Sequence, residues 1–252
     1  GLEIKRYQIS PGSLDPGSGT TINPVILDRE TGYESSAYAN IDWKPIPNLS
    51  ISAGLRLTQF TLVGPFEEAQ YDSDGLYDGV KSFGNQETVS NYFNPEPRLG
   101  INYKLGEDTS VKMSYARIFQ YIQNIYNTNT PLPTSRWKIS DRYITPQKNN
   151  TFGLGLYQNI PGSNLELSAE GYYRKTDNNL TYRPGANFFL AEFIENEITQ
   201  AEGKSYGLEL SLRKTLGKVN GVFNYTWSRS LLKTDEVNPQ NRINNNAWFA
   251  SD

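Results

Sequence analysis

One stretch of the chain carries closely spaced carboxylates of the kind that bind calcium. The segment "EEAQYDSDGLYDG" (67–79) places Asp72, Asp74 and Asp78 beside turn glycines. Oxygen ligands from such a loop suit Ca²⁺, but the spacing lacks the bidentate glutamate that an EF-hand loop supplies. A solvated acidic loop is therefore the preferred interpretation, with calcium binding as the alternative, and we expect no cofactor.

A second set of carboxylates could do acid–base chemistry. Glu166 and Glu170 are an even number of positions apart, so they lie on the same face of an extended strand. Arg174 and Arg213 share that polar face, and ion pairing is the expected fate of these glutamates. The chain has no cysteine and no histidine, which removes the usual zinc ligands and the general base of most catalytic triads. We therefore predict that the protein is not an enzyme.

Aromatic side chains in the long connecting stretches could instead bind a small molecule. Their faces could stack on sugar rings or contact an apolar ligand. The candidates for ligand binding are Phe66, Tyr71, Tyr77, Tyr121, Tyr126, Trp137, Phe188 and Phe189. Packing of the connections on one another is the alternative use of the same rings. The segment 61–93 has six acidic residues against Lys81 alone, which disfavours an anionic ligand there.

The elements that position these residues are recognised by a period of two. In "NLSISAGLRLTQF" (48–60), leucine, isoleucine and alanine alternate with serine, glycine, arginine and threonine. A strand turns successive side chains to opposite faces, so this stretch is a strand with one apolar face. Further alternating runs predict strands near 36–43, 98–104, 110–115, 152–156, 165–174, 206–213 and 223–228, with a less regular one at 1–9. No helical period competes, so the predicted fold is all-β with about nine strands.

The connections between these strands alternate in length. Tight turns rich in Pro, Gly, Asn and Asp are predicted at 45–48, 105–108, 161–164 and 216–219. Long stretches lie between them, at about 10–33, 61–93, 120–147, 178–202 and from 231 onward. Loops beyond roughly 15 residues are uncommon in compact soluble domains. Short turns at one end and long loops at the other are typical of outer-membrane barrels.

An antiparallel up-and-down transmembrane β-barrel is therefore the predicted fold. Its inner face would carry the polar parity, with charged residues at Arg56, Arg98, Glu166, Glu170, Arg174, Glu209 and Arg213. No apolar run approaches the roughly 18 residues that a spanning helix needs, and a net charge of −3 argues against a nucleic-acid partner. The alternative is a secreted or cell-surface β-sandwich that binds carbohydrate or acts as an adhesin.

Aromatic residues on the apolar parity fall into two groups. The first lies close to the tight turns and comprises Trp43 and Tyr103. The second lies toward the long connections and comprises Tyr115, Tyr173, Tyr206, Tyr225 and Trp227. Two such rows match the girdles that barrels place at the two membrane interfaces.

Three predicted hairpins resemble those of a known family. The stretch "GKSYGLELSLRKTLGKVNGVFNYTWSRS" (203–230) resembles a strand–turn–strand from the barrel of TonB-dependent outer-membrane receptors, especially those of Bacteroidetes-type bacteria. The stretches "SAYANIDWKPIPNLSISAGLRL" (36–57) and "EPRLGINYKLGEDTSVKMSYARIFQ" (96–120) resemble further hairpins of the same family.

The resemblance implies a barrel of about 22 strands, closed by an N-terminal plug, in the outer membrane of a Gram-negative bacterium. Such a receptor imports a scarce solute, for example a siderophore or an oligosaccharide. With no plug and no closing C-terminal strand, residues 1–252 are expected to be a partial transmembrane barrel, a fragment of the parent receptor. The implied partners are outer-membrane lipid, the imported small molecule, and TonB through the parent's N-terminal region.

Overall fold

The computed structural model describes residues 1–14, 21, 25–72, 76–125, 136–186, 191, 193–236 and 242–251. The strands in these ranges are β1 (Leu2–Ile9), β2 (Ser13–Leu14), β3 (Val25–Ile26), β4 (Glu30–Ile46), β5 (Leu49–Val63), β6 (Phe66–Tyr71), β7 (Tyr77–Phe83), β8 (Thr88–Lys104), β9 (Thr109–Gln120), β10 (Ile122–Ile125), β11 (Arg136–Ile139), β12 (Gln147–Ile160), β13 (Leu165–Tyr182), β14 (Ile198–Lys214), β15 (Gly221–Lys233) and β16 (Phe249–Ala250). Short 3₁₀ turns occur at Ile194–Asn196 and Asn244–Asn246. Among the described residues, no helix is long and apolar enough to cross a membrane.

Ten of these strands form one antiparallel sheet whose spatial order follows the chain, from β1 through β4, β5, β8, β9, β12, β13, β14 and β15 to β16. The other described strands form three separate pairs, β2–β3, β6–β7 and β10–β11, each inside a long connection. This order confirms the up-and-down prediction. One continuous sheet also excludes the sandwich alternative, which needs two sheets packed face to face.

The tight turns lie together at one edge of the sheet, as predicted. They join β4 to β5, β8 to β9, β12 to β13, and β14 to β15. Left-handed backbone conformations close two of them, with φ of 54° at Asn164 and 115° at Gly217. The long connections lie at the opposite edge, which we call the long-loop end.

The strands extend beyond their predicted ends. The sequence pattern misses these extensions because the polarity of the two faces inverts there. We call the face that carries Arg56 the inner face and the opposite one the outer face. Toward the end of β5, Phe60 and Leu62 occupy the inner face and are fully buried. Gln59 and Thr61, on the outer face, hydrogen-bond across to β8. The apolar parity that marks the strand in the sequence therefore changes sides, and residues 61–63 are strand where a loop was predicted.

The outer face carries a row of aromatic rings that the sheet register aligns with Ala53 of β5 and Leu99 of β8. Tyr115, Phe152, Tyr173 and Tyr206 are direct cross-strand partners on four successive strands. The rings of Tyr115 and Phe152 lie 4.7 Å apart between centroids, and Tyr206 lies 5.9 Å from Trp227. The rings therefore contact one another along the middle of the sheet, and their place in an aromatic belt at a membrane interface stays a prediction.

Two prolines end the pairing between β8 and β9. The ladder stops at Arg98, and continuing its register would bring Pro97 and Pro95 opposite β9. Proline has no N–H to donate to a ladder. The backbone N–H of Phe119 donates instead to Glu96 Oε1 at 3.2 Å. A carboxylate therefore accepts from an N–H that lies beyond the end of the ladder, and β9 diverges from β8 toward the long-loop end.

The last strand differs from the prediction. β16 pairs its two residues with Leu231 and Leu232 of β15, where the sequence predicted only a long loop. Two residues are too few to show an alternation, so the pattern could not reveal it. The described part of the sheet therefore has ten strands rather than nine.

An arginine scan along β5 tests which face contacts lipid. In a complete barrel that contains this chain, Leu55→Arg is expected to cost about 2–4 kcal/mol, and Leu49→Arg, nearer the interface, about 0–1 kcal/mol. Gln59→Arg is the matched control, because Gln59 shares the outer parity but lies beyond the polarity inversion. Unfolding in lipid vesicles measures these costs. Equal costs at all three positions would rule out a lipid-facing band.

Candidate functional site

The β10–β11 pair lies across the inner face at the long-loop end, a region we call the mouth. Ile139 of β11 is fully buried in one cluster with Phe60 and Leu62 of β5. Gly32 of β4 permits this approach, because a Cβ there would lie 2.8 Å from the Phe60 ring and 3.3 Å from Ile139 Cδ1. The pair therefore begins at β9 and reaches over the inner face to β4.

Tyr121, a sequence candidate for ligand binding, is part of this packing. Its ring stacks on Phe60 with centroids 4.6 Å apart and planes 2° from parallel. Asn94 Nδ2 donates to its hydroxyl at 3.0 Å, and burial raises the pKa of Tyr121 to about 12. The ring is 5% exposed, so it packs the connection onto the strands, the alternative use considered for the loop aromatics.

Three charged side chains form a buried network where β11 meets β4. Lys138 Nζ lies 2.8 Å from both Glu30 Oε1 and Asp141 Oδ2, and the backbone N–H of Ile139 donates to Glu30 Oε2 at 2.7 Å. Each of the three charged residues is 3% exposed. Burial by itself would lower the pKa of Lys138, but Asp141 and Glu30 outweigh burial and hold that pKa above its usual value.

Asp141 also fixes the segment that leads into β12. Its Oδ1 accepts hydrogen bonds from the backbone N–H groups of Tyr143 at 2.9 Å and Ile144 at 2.8 Å. Its backbone carbonyl accepts a short hydrogen bond from the Tyr92 hydroxyl of β8. One residue therefore anchors the segment to β8 and pairs with Lys138.

A second apolar cluster places the turn Ile194–Asn196. Ile194 is fully buried together with Ile125, Ile144 and Ile198. The neighbouring Glu195 is brought beside β6, where the Tyr71 hydroxyl donates to its Oε1 at 3.4 Å. The turn thereby becomes one wall of the cavity described next.

A cavity of about 290 Å³, which we call the mouth cavity, lies between these elements. It is lined by Ile26, Leu27, Asp28, Glu30, Phe66, Glu67, Glu68, Arg136, Lys138, Asp141, Tyr143, Phe193 and Glu195. Six carboxylates and two basic groups make its wall acidic. Its size and its mixture of rings and polar groups suit part of a small organic ligand.

Burial perturbs the titrating groups around the mouth cavity. It raises the pKa of Glu195, and with help from Glu195 it raises the pKa of Tyr71 to about 12. Burial lowers the pKa of Arg136, whose guanidinium donates to the Ala191 carbonyl. Perturbed groups of both signs in a concave site are typical of binding sites.

Two of the predicted aromatic candidates lie at or beside this cavity. Phe66 lines it directly. Tyr71 stands next to it, edge-on to Tyr143 with centroids 5.5 Å apart. The structure thus brings together two residues that the sequence singled out separately, and it adds Tyr143 to them.

The remaining aromatic candidates are more dispersed. Tyr77 is 58% exposed, with its ring 6.1 Å from that of Phe193, and Trp137 of β11 is 49% exposed. The other three lie outside the described residues: Tyr126, Phe188 and Phe189.

The acidic stretch considered for calcium forms part of the β6–β7 connection. Asp72 Oδ1 accepts a hydrogen bond from the backbone N–H of Leu76 at 2.8 Å, and Asp78 is exposed on β7. Asp74 lies outside the described residues. Within the described part of the chain, no group of three or more carboxylates is arranged to hold a metal ion.

The predicted inner-face charges begin with an arginine surrounded by carboxylates. Arg56 Nη2 lies 2.8 Å from Glu3 and 2.8 Å from Glu34, and its Nε lies 4.0 Å from Glu96. These contacts join β1, β4, β5 and β8 through one guanidinium. Arg98 follows two positions after Glu96, on the same face of β8.

Most of the other predicted inner-face charges lie nearer the tight turns, and Arg174 is level with Arg98 in the sheet register. Glu166 approaches Arg213 to 3.9 Å, which is the ion pairing expected for it. Glu170 stands directly opposite Glu209 on the neighbouring strand, and Arg174 Nε donates to a threonine hydroxyl of β12 at 3.3 Å. None of these residues lines the mouth cavity as the described residues define it.

Sequence reasoning missed the charged residues that build the mouth: Glu30, Glu68, Arg136, Lys138, Asp141 and Glu195. Glu30 and Lys138 are 108 positions apart, and no local pattern pairs them. The stretch "RWKI" (136–139) is a weak sign of these residues. Its arginine and lysine alternate with tryptophan, and in the structure the arginine and lysine are buried while the tryptophan is exposed. A short charged strand of this kind inside a long connection indicates a segment that folds inward.

The fold and the mouth together define a class of protein. The strands pair in chain order and antiparallel, with tight turns at one end and connections folded over the inner face at the other. This arrangement is typical of the wall of an outer-membrane β-barrel. The family model described as "TonB dependent receptor-like, beta-barrel" matches residues 3–251, and the chain belongs to this family. The resemblance of the three hairpins is thus confirmed. The family consists of receptors and transporters, and membership implies the outer membrane.

Solved structures of similar fold are TonB-dependent receptors. The FrpB iron transporter from Neisseria meningitidis (F5-1 variant) matches with a TM-score of 0.59 and 15% identity, over 88% of this chain and 29% of that one. The ferric-catecholate import receptor Fiu from K12 E. coli matches with a TM-score of 0.51 and 15% identity, over 92% of this chain and 35% of that one. The chain thus spans about a third of the length of these relatives. A comparison with curated proteins finds no match.

Removing the lysine of the buried network is expected to loosen the β10–β11 pair from β4. Lys138→Met leaves Glu30 and Asp141 buried without their cationic partner, at a cost of about 3–5 kcal/mol. Hydrogen exchange at the Ile139 amide, which bonds to Glu30, reports the local effect. Lys233→Met is the matched control, since Lys233 Nζ lies at the same 2.8 Å from Asp235 but the pair is exposed. Unchanged protection of Ile139 would contradict the anchoring role.

The raised pKa of Glu195 predicts a pH-dependent stability. The folded state holds this proton to higher pH than the unfolded chain, whose pKa is near 4.5. Stability is therefore lost as the pH rises from that value through the raised pKa. Glu195→Gln removes this loss, so the variant's stability relative to the wild type is constant below pH 4.5 and grows above it. Unfolding measured across a pH series checks this, and a difference that shrinks with rising pH would refute it.

Proposed function

We propose that the parent of this chain is an outer-membrane transporter that imports a scarce small molecule with energy delivered through TonB. Membership of the receptor family supports this proposal. The chain would contribute part of the barrel wall and part of the outer binding site for the solute. Its role is binding and passage rather than catalysis, so the parent is not an enzyme.

The observation that carries the proposal is the mouth cavity. It sits at the long-loop end of the inner face, where a solute arriving from outside would first meet the barrel. Buried ion pairs and two apolar clusters hold its walls. A site that is held in shape before the ligand arrives loses less entropy on binding. The cavity therefore has the position and the rigidity that capture of a dilute solute requires.

The outer face supports the proposed location in the outer membrane of a Gram-negative bacterium. Large apolar side chains are exposed along it, for example Leu55, Leu154 and Trp227 at 46%, 57% and 50% exposure. Such a band would contact lipid. Contact with TonB would be made by a region of the parent outside this chain.

We propose a small organic molecule as the solute. The similar solved structures are named as transporters of iron and of ferric catecholates, but at about 15% identity the likeness extends to the fold only. Siderophores and oligosaccharides both fit a mouth lined by rings and carboxylates. An organic solute is therefore proposed, with its chemistry to be found by experiment.

Comparison of spent growth media tests the function while the solute is still unidentified. A strain with the parent gene is expected to remove a compound that remains in the medium of the deletion strain, and deleting TonB should have the same effect as deleting the parent gene. Leu27→Trp, which narrows the mouth cavity without changing charge, is expected to slow this removal severalfold. Mass spectrometry of the media provides the measurement.

The control for this experiment is a tryptophan at the opposite end of the barrel. Val219→Trp changes an exposed position in a tight turn and should leave removal of the compound unchanged. Uptake that persists without TonB would refute TonB-dependent import. Uptake that is equally fast in the Leu27→Trp variant would show that the solute does not use the mouth cavity.

A further inference from the structure

The mouth cavity carries more negative charge than its own basic groups neutralise. Lys138 is already paired within the buried network. The charged lining residues outside that network are Asp28, Glu67, Glu68, Glu195 and Arg136. Asp28 and Glu67 are exposed and screened by solvent, so in the described wall the sheltered carboxylates of Glu68 and Glu195 face the one guanidinium of Arg136. Arg142, which approaches Glu68 to 3.9 Å, is itself 65% exposed and screened by solvent. A partly enclosed excess of negative charge attracts cations.

One of these carboxylates is buried with an oxygen left free. Glu68 lines the cavity and is 4% exposed. Its Oε2 accepts a hydrogen bond from Gln70 Nε2 at 3.0 Å, whereas its Oε1 has no hydrogen-bond partner among the described residues. Buried polar atoms are nearly always paired, and a buried carboxylate that is half satisfied is costly. A donor arriving in the cavity would complete its hydrogen bonding.

The cavity already holds one ammonium group against an aromatic ring. Lys138 Nζ lies 4.7 Å from the centroid of Phe66, within the distance at which a ring face attracts a cation. Tyr143 and Phe193 line the same cavity. Rings beside carboxylates suit an organic cation, which needs both a charge partner and an apolar wall.

We propose that the mouth cavity binds an ammonium or guanidinium group of the imported solute, with Glu68 Oε1 accepting its hydrogen bond and Glu195 adding a second charge. This inference rests on the proposed function only in assigning the cation to the imported solute. The binding itself is a property of the cavity and can be measured without transport.

The test uses the full-length receptor in detergent and three probes with the same six-carbon chain. Hexamethylenediamine is doubly cationic at neutral pH, hexamethylene glycol is neutral, and adipate is doubly anionic. Titration calorimetry is expected to show that the diamine binds more tightly than the glycol by about tenfold or more, with no binding of adipate. Similar affinities for the diamine and the glycol would overturn the proposal.

Two conservative variants and one control connect the binding to the cavity. Glu68→Gln and Glu195→Gln keep the side-chain shape, and each is expected to weaken diamine binding by about tenfold. Asp235→Asn removes a carboxylate that is paired with Lys233 outside the cavity and should leave the affinity unchanged. Thermal unfolding shows that each variant is folded. Diamine affinity that survives both glutamine variants would overturn the proposal.

The two proposals fail in distinguishable ways. Diamine binding that depends on Glu68, in a receptor that shows no TonB-dependent uptake, would remove the transport function and leave the cation site. TonB-dependent removal of a neutral or anionic solute, with no diamine binding, would remove the cation site and leave the transport function.

Discussion

Every backbone polar group that crosses the apolar part of a membrane must be paired within the protein. In the ten-stranded sheet, the strands from β4 to β14 meet this requirement by pairing in antiparallel register with a neighbour on each side. Because the main-chain groups are used in these ladders, the inner and outer faces differ only in their side chains. Where the β8–β9 ladder ends, the same need is met by a side chain, because the N–H of Phe119 donates to the carboxylate of Glu96.

Beyond the polarity inversion, the same strands serve a second purpose. Their inner face there becomes an apolar floor, with Phe60 and Leu62 fully buried, and their outer face becomes polar. The β10–β11 pair packs on that floor, and the Lys138 network fastens its far side to β4. The acidic cavity forms between this fastened pair, the β6–β7 pair and the turn at 194–196. The candidate site is thus a product of connections that fold back onto the strands.

The sequence predicted the wall of the barrel well and its mouth poorly, for physical reasons. A period of two needs one face in an apolar medium and the other in a polar one, as at Leu55 and Arg56, so the lipid-crossing parts of the strands were found. The pattern ended where Phe60 and Leu62 reversed the polarity, and everything past that point was assigned to loops. Phe66 and Tyr121 look alike in the sequence, because both are aromatic residues in a predicted connection. Only the tertiary packing shows that Phe66 lines the cavity whereas Tyr121 belongs to an apolar cluster. The pairing of Glu30 with Lys138 depends on how two distant connections fold together, and local patterns carry no information about it.

The inner face is built differently along its length. Toward the tight turns it carries small residues such as Ser52, Gly100 and Gly153 beside larger ones such as Tyr157 and Tyr172, and among the described residues no connection packs across this part of the face. At the long-loop end, the β10–β11 pair spans the distance from β9 to β4 as a transverse brace. A curved sheet braced along one rim keeps its radius there, while the unbraced remainder can flatten or tighten at low cost. A domain or solute that moves along the inner face would therefore deform the sheet near the tight turns before it could widen the sheet at the long-loop end.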